Sequence, residues 1–441
     1  MTDRQIVRID AGTIVTVDSE HRILKNHSVL MEGETILAIV ETGEAAKFNA
    51  TQTYELPNHV LMPGLINAHG HAAMTLLRGI ANDLPLQEWL EKHIWPTEAA
   101  NVDSDFVSFG TKLAVAEMIR SGTTTFSDMY FFPEDAARQV DQLGMRAQLC
   151  CPILDFPTAW GSGPDEYLDK SEELFKRYQN HPLIDIALGP HAPYTVSDGP
   201  ITKVCELARK YGISIQMHIH ETQQEVDDAV AHQGKRPLLR LDELGLFDLD
   251  IPIQAVHMTS LNEHEINLLA SKKVNVIHCP ESNMKLASGF CPTHELHKAG
   301  VNVALGTDGA ASNNDLDMFG EMRTAALIAK GYTGNASAIS ARDAIAMATI
   351  NGAKALGIDG YTGSLEKGKQ ADIIALDLDR LYTAPSFNIE ADIVYNLNSQ
   401  QVTHSWVAGE LLLDCGRLTR IDEKQLIQHA KEWSVKIKNS N

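Results

Sequence analysis

Two short stretches hold residues that could do metal chemistry: His69-Gly70-His71 and His218-Ile219-His220-Glu221. In an extended strand, residues i and i+2 share a face. His69 and His71 can therefore both reach one ion, and Gly70 allows close backbone approach. By the same rule His218 and His220 share a face, so one suits a ligand and the other a supporting or core position; spacing leaves that choice open. A carboxylate such as Asp308 would complete a nitrogen-and-oxygen donor set suited to zinc or another first-row metal. An isolated H-x-H pair is weak evidence. What strengthens it here is that further histidines and an aspartate recur at the ends of short apolar runs.

Those runs are GLINAH, TTTFSD, RAQLCCPI, DIALGPH, SIQMHIHE, IQAVHM, VNVIHCP and VNVALGTD, separated by longer helical stretches. This alternation signals βα units and a parallel sheet. Eight such units suggest a closed barrel, with an open doubly wound sheet as the alternative. The first run leads into His69 and His71; the second ends at Asp128, the fourth at His191, the fifth at His218 to Glu221. The sixth ends at His257, the seventh at His278 and the eighth at Asp308. In a barrel, the C-terminal strand ends converge on one face, where active sites sit. The two ends of the chain read differently. VRIDAGTIVTVD, SVLMEGETILAIVETG, GSLEKGKQADIIALDLD and THSWVAGELLLDCGRL are β-branched runs cut by turn residues. The final DEKQLIQHAKEWSVKIK is helical, with Leu426, Ile427, Ala430, Trp433 and Ile437 on one stripe.

Several familiar signatures are missing: HExxH, the GxSxG elbow and the PCxxC of cytidine-deaminase-type zinc enzymes. Residues 363–369, GSLEKGK, match the start of a phosphate-binding loop. However, Gln370 stands where Ser or Thr is required, and a strand follows rather than a helix. The stretch is read as a turn. The composition is that of a globular protein of 441 residues, 44% hydrophobic and 22% charged. A formal net charge of −21 argues against nucleic-acid and anionic-membrane partners. The start lacks an apolar signal region, no run approaches the ~18 apolar residues of a membrane span, and the six cysteines show no CxxC pair. A reduced, cytoplasmic protein is expected.

MPGLINAHGH, SGTTTFSD, GPHAPYT, HIHET, HCPESNMKLASG, GTDGAASNN and GSLEKGKQADIIALD together resemble the amidohydrolase superfamily. More narrowly, they resemble its 5-methylthioadenosine/S-adenosylhomocysteine deaminase branch, beside the triazine hydrolases. The resemblance spans nearly the whole chain. It implies an α/β fold: a distorted (β/α)8 TIM barrel over 63–367, next to a small β-sandwich built from 1–62 and 368–441. It also implies hydrolytic deamination of the adenine ring of 5′-methylthioadenosine, and by extension S-adenosylhomocysteine or adenosine, to the inosine analogue plus ammonia. By the same resemblance, His69, His71, His218 and Asp308 are the metal ligands, leaving His220 outside. Glu221 protonates the purine ring nitrogen, and His257, with Asp308, manages the proton of the attacking water. Glu98 and His191 contact substrate, Glu98 through the ribose hydroxyls. Binuclear relatives carry a carboxylated lysine after the fourth barrel strand. GPHAPYTV has no lysine, so one divalent ion per chain, zinc, is expected.

Trp89 and Trp95 in DLPLQEWLEKHIWPTEAA either wall an aromatic pocket or pack into the core. The loop after the third barrel strand offers no arginine before Arg177 and begins with the apolar Phe156, Pro157 and Trp160. Such a wall favours a methylthio group over a homocysteine tail. The expected partner is a small nucleoside, and a homo-oligomer is compatible with the sequence. Guanine deamination and chlorotriazine hydrolysis are the rivals within the fold. A catalytically dead scaffold is the remote one, opposed by the intact His69, His71, His218, Glu221 and Asp308.

Overall fold

The computed structural model describes residues 5–440, so residues 1–4 and 441 of the expected small domain lie outside it. The chain opens with β1 (Ile6–Val15), β2 (Ile23–Glu32), β3 (Thr35–Glu41) and β4 (Gln52–Pro63). The barrel follows: β5 (Leu65–Gly70), β6 (Thr123–Asp128), β7 (Arg146–Ile153), β8 (Ile184–Pro190), β9 (Ile215–Ile219), β10 (Ile253–His257), β11 (Asn275–His278) and β12 (Val303–Leu305). The chain then returns through β13 (Ile373–Asp377), β14 (Val402–Val407), β15 (Glu410–Asp414) and β16 (Arg417–Leu418).

Strands β5 to β12 pair in sequence order, each parallel to the next. A bridge between Gly70 and Asp308 brings the first and last strands together, so the barrel nearly closes. Both faces of these strands are covered. This is why β6, β7 and β10 are buried at every position and read as continuous runs rather than alternating ones. The helices between them carry ordinary start and stop chemistry. The Asp103 side chain accepts from Phe106 N at the head of Ser104–Arg120. Pro133 opens Pro133–Leu143, and Gly144 closes it at φ 75°. At Gly306, just after β12, a Cβ would lie 2.8 Å from the His69 backbone, so only glycine allows β12 this close to β5.

The terminal strands form a second sheet in the order β16-β15-β14-β13-β4-β1-β2-β3. Only the β1–β4 pairing is parallel; the others are antiparallel. The two layers expected of a sandwich are one continuous hydrogen-bonded sheet around Ile9, Ile14, Val29, Leu61, Ile373 and Trp406. A Thr35–Gln370 bridge ties β3 back to the segment entering β13. The GSLEKGK stretch is an irregular turn on that seam, with Ile36 N donating to Lys369 O.

A buried ion pair joins the two units: Arg146 Nε lies 3.2 Å from Asp372 Oδ2. Asp372 also accepts from Thr362 Oγ1 and Ala408 N, each at 2.6 Å. The C-terminal helix Glu423–Ser440 lies on the barrel, its Trp433 edge-on to Phe106 and stacked on Phe109. Ile427 departs from the expected stripe and is exposed. Leu426, Ala430, Trp433 and Ile437 follow the i, i+4, i+7 rhythm, which puts residue 427 about 100° off the buried face. No helix among the described residues is long and apolar enough to cross a membrane.

Candidate active site

The C-terminal strand ends gather His69, His71, His218, His257, Asp308 and Glu221 into one bowl. Ligand-capable atoms of His69, His71 and His218 all lie within 4.8 Å of one another. Each of these rings has its Nδ1 held by an acceptor. His69 Nδ1 donates to Gln216 Oε1 at 2.7 Å, His71 Nδ1 to Met129 O at 2.6 Å, and His218 Nδ1 to His191 O at 2.7 Å. Locking Nδ1 as the donor leaves the Nε2 lone pairs facing inward. His69 Nε2 and His218 Nε2 are 3.2 Å apart. Two lone pairs at that distance repel unless a cation sits between them. Asp308 Oδ1 closes the group, 3.5 Å from His69 Nε2 and 3.2 Å from His71 Nε2. Its other contacts are donors: Ser282 Oγ and Ser312 Oγ to Oδ2, and Gly309 N to Oδ1. Three neutral imidazoles and a carboxylate fit a divalent metal of the zinc type.

The electrostatics agree. Burial pushes the His69 pKa down to about 4, against the pull of Asp308, and takes His218 well below its ordinary value. At His71 burial also opposes the charge, but the neighbouring Asp308 carboxylate outweighs it and lifts the pKa to about 9. Burial works against an ionised Asp308, yet its bonds to His69 and His71 hold its pKa well below the carboxylate range. A metal ion held by the same atoms would favour the neutral His71 ring.

The His218/His220 ambiguity resolves at the backbone. Strand β9 ends at Ile219, and His220 adopts φ 53°, which breaks the alternation and turns its ring away. His220 Nε2 instead accepts from Leu238 N at 3.2 Å. His257 and Asp308 also sit at positive φ, 75° and 62°, so both leave their strands in a left-handed turn. Of the other strand-end residues, Asp128 accepts from Ala72 N at 2.6 Å, and His278 is buried with Nδ1 unpartnered.

A cavity of about 650 Å³ opens above the bowl. Its walls include Trp89, Trp95, Glu98, Tyr130, His191 and Glu221. Both tryptophans line it; Trp89 is also buried, whereas Trp95 is partly exposed. Glu221 lines the cavity, and burial, reinforced by the Asp308 charge, raises its pKa to about 8. Its Oε2 lies 3.7 Å from His257 Nε2. His257 Nδ1 is held by Asn283 Oδ1 at 2.9 Å, leaving Nε2 free. Glu98 Oε1 accepts from Tyr130 OH at 2.6 Å; burial lifts the Glu98 pKa to about 7 against that hydrogen bond. His191 Nδ1 is held by Thr195 Oγ1 at 2.9 Å. Of the apolar wall expected from the loop after β7, Phe156 and Pro157 line the cavity but Trp160 does not. Trp160 is buried, stacks on Tyr167 and donates Nε1–H to Glu134.

Gln216, Ser282, Asn283, Ser312 and Tyr130 support the bowl yet are not legible as such in the sequence. Ser282, Asn283 and Ser312 lie within HCPESNMKLASG and GTDGAASNN, where polarity near a strand end was the only signal. Gln216 precedes His218 by two, the same-face spacing, and that signal could have found it.

Comparison with known proteins agrees with this geometry. Residues 60–412 match the Amidohydrolase family. A 5-methylthioadenosine/S-adenosylhomocysteine deaminase of Saccharophagus degradans is 50% identical over 430 residues, covering 97% of this chain and 96% of that one. A 5′-deoxyadenosine deaminase of Methanosarcina acetivorans is 41% identical over 421 residues, covering 95% of each. A zinc-bound adenosine deaminase structure from Xanthomonas campestris has a TM-score of 0.96 at 46% identity, covering 98% of both chains. With a family match over most of its length and relatives this similar, the chain belongs to the amidohydrolase family.

Proposed function

We propose that this chain hydrolyses the exocyclic amine from the adenine ring of 5′-methylthioadenosine, giving the inosine analogue and ammonia. The observation that carries this reading is the place of Glu221, a buried carboxyl in the cavity wall with Oε2 3.7 Å from His257 Nε2, where burial raises its pKa to about 8 and favours the acid form. Attack on the amino-bearing ring carbon breaks aromaticity, and a proton from Glu221 to the adjacent ring nitrogen stabilises the adduct. Such acid–base help is worth about 10²–10⁴-fold. A divalent ion held by His69, His71, His218 and Asp308 would acidify water enough for attack near neutral pH. His257 Nε2, freed by the Asn283 contact, takes the proton of the attacking water. Asp308 assists at Oδ1; His257 passes that proton to the departing amine, which leaves as ammonia, and the proton of the new hydroxyl returns to Glu221 as the ring carbonyl forms. The oxygen of Glu98 not bonded to Tyr130 serves the ribose hydroxyls, and His191 presents its free nitrogen to the nucleoside.

One ion in the barrel bowl suffices, because the donor set there, three histidines and Asp308, is complete and the stretch after β8 contains no lysine. The unit 63–367 carries all of this chemistry, with 1–62 and 368–441 forming the companion domain. The adenosine-type names of the similar proteins favour adenine over guanine or a triazine.

Within adenine nucleosides, the cavity favours a methylthio group. Leu154, Phe156 and Pro157 line it, and no Lys or Arg is among its described lining residues. Lys170 is turned to the Trp160 carbonyl and Glu166, and Arg146 to Asp372. A homocysteine carboxylate would be buried here without a cationic partner, which costs more than its binding returns. Steady-state kinetics with ammonia detection on methylthioadenosine, S-adenosylhomocysteine, adenosine and guanine test this. The expected result is the highest kcat/KM for methylthioadenosine. A value for S-adenosylhomocysteine equal or higher would show that a cation reads the tail, and turnover of guanine alone would overturn the adenine assignment.

A further inference from the structure

The barrel interior contains glutamines where barrels usually pack branched apolar side chains. Gln148 on β7, Gln216 on β9 and Gln254 on β10 are almost fully buried. A buried amide is costly unless its polar atoms are paired, and these are. His69 Nδ1 donates to Gln216 Oε1 at 2.7 Å. Gln216 Nε2 donates to Gln254 Oε1 at 2.5 Å, and also to Ala68 O and Ser127 Oγ. Gln254 Nε2 donates to Gln148 Oε1 at 2.8 Å. Gln148 Nε2 donates to Asp185 Oδ2 and to Leu356 O, each at 3.3 Å. All three amides point the same way. The series runs from the metal bowl to Asp185, near the start of β8, on the wall of a separate cavity of about 180 Å³.

The direction has a consequence for His69. His71 and His218 lean on backbone carbonyls, which can only accept. His69 leans on a side-chain amide, which can be turned around. If Gln216 presented its NH₂, His69 Nδ1 would have to accept, and the ring proton would sit on Nε2, where a metal needs the lone pair. An ionised carboxylate only accepts. Asp185 therefore draws the NH₂ of Gln148, which leaves Gln148 Oε1 for Gln254 and Gln254 Oε1 for Gln216. The Leu356 and Ala68 carbonyls favour the same sense. Cooperative hydrogen-bond chains of this kind polarise one another in a low-dielectric interior.

We propose that Gln216, Gln254, Gln148 and Asp185 form one positioning relay that holds His69 as the Nδ1–H tautomer ready for metal. The relay rests on the metal reading of His69 and is independent of the substrate. Its test is zinc affinity of the full-length protein without substrate, by competition against a zinc-binding dye, alongside melting of the metal-free protein. Asp185→Leu removes the acceptor at the end of the chain. Gln254→Met, close in volume, cuts the middle. Each is expected to raise the zinc Kd about tenfold, the usual scale for groups behind a metal ligand. The double variant should be no weaker than the worse single, because both act on one chain. A purely structural role would lower the melting temperature and leave the Kd in place. A native Kd in Asp185→Leu, or additive losses in the double variant, would overturn the relay. A native protein that binds no zinc would overturn the metal centre along with it.

Discussion

At the scale of the residue, two carboxyl groups a few ångströms from the same histidines have opposite states for physical reasons. Asp308 accepts from two serine hydroxyls and a backbone N–H and faces two imidazoles, so it stays ionised. Glu221 is buried and repelled by Asp308, so its pKa rises to about 8, which favours the protonated form. Pushing two carboxyl pKa values apart is how one site holds both a ligand and an acid. Glu221→Gln should therefore retain close to one zinc per chain by mass spectrometry while losing about 10²-fold or more in kcat. The pH dependence has a definite sign. The acid form is present below about 8, so wild-type kcat should fall as pH rises through that value. The same limb should vanish in the residual activity of Glu221→Gln. Parallel loss of zinc and activity would make Glu221 a ligand instead.

At the scale of the element, the ends of the barrel strands do the aiming. The segment His220–Glu221 is clamped from both sides. Glu225 accepts from His220 N at 3.1 Å and from Glu221 N at 2.8 Å. Thr259 N donates to His220 O, and Thr259 Oγ1 to Glu221 O. Glu225→Ala would leave two buried N–H groups unpaired, at about 1–3 kcal/mol each. It should lower the melting temperature and reduce kcat more than it changes KM, because Glu221 loses its fixed direction. An unchanged kcat would show that the clamp holds the turn only. This element also marks how far the sequence can be read. All eight barrel runs were visible, because strands buried on both faces are short and uniformly apolar. So was the pairing of His69 with His71, since it follows from strand alternation. The choice between His218 and His220 was not, because it depends on φ 53° at His220. Positive φ at non-glycine residues is enforced by tertiary contacts and leaves little trace in local composition. Trp160 shows the same limit. An indole in an apolar loop can wall a ligand or stack on Tyr167, and only packing decides.

At the scale of the whole molecule, the barrel and the terminal sheet are joined through Arg146, at the start of β7 and away from the bowl, and Asp372. Both side chains are almost fully buried. Removing one partner of such a pair leaves a buried charge, typically at a cost of about 3–5 kcal/mol. Arg146→Ala should lower the unfolding free energy obtained by urea titration by that margin, and its zinc content after refolding at low temperature should match the native protein. Loss of zinc in the folded variant would show that the terminal sheet supports the metal bowl directly. In the proposed reaction, water replaces the amine of an adenine ring within this bowl. Its most direct test is turnover of 5′-methylthioadenosine by the zinc-loaded protein in ¹⁸O-labelled water, followed by mass spectrometry and ammonia detection. Hydrolytic deamination gives one ¹⁸O on the former amino-bearing carbon and one ammonia for each nucleoside consumed. Intact nucleoside under these conditions, or product without the label, would contradict it.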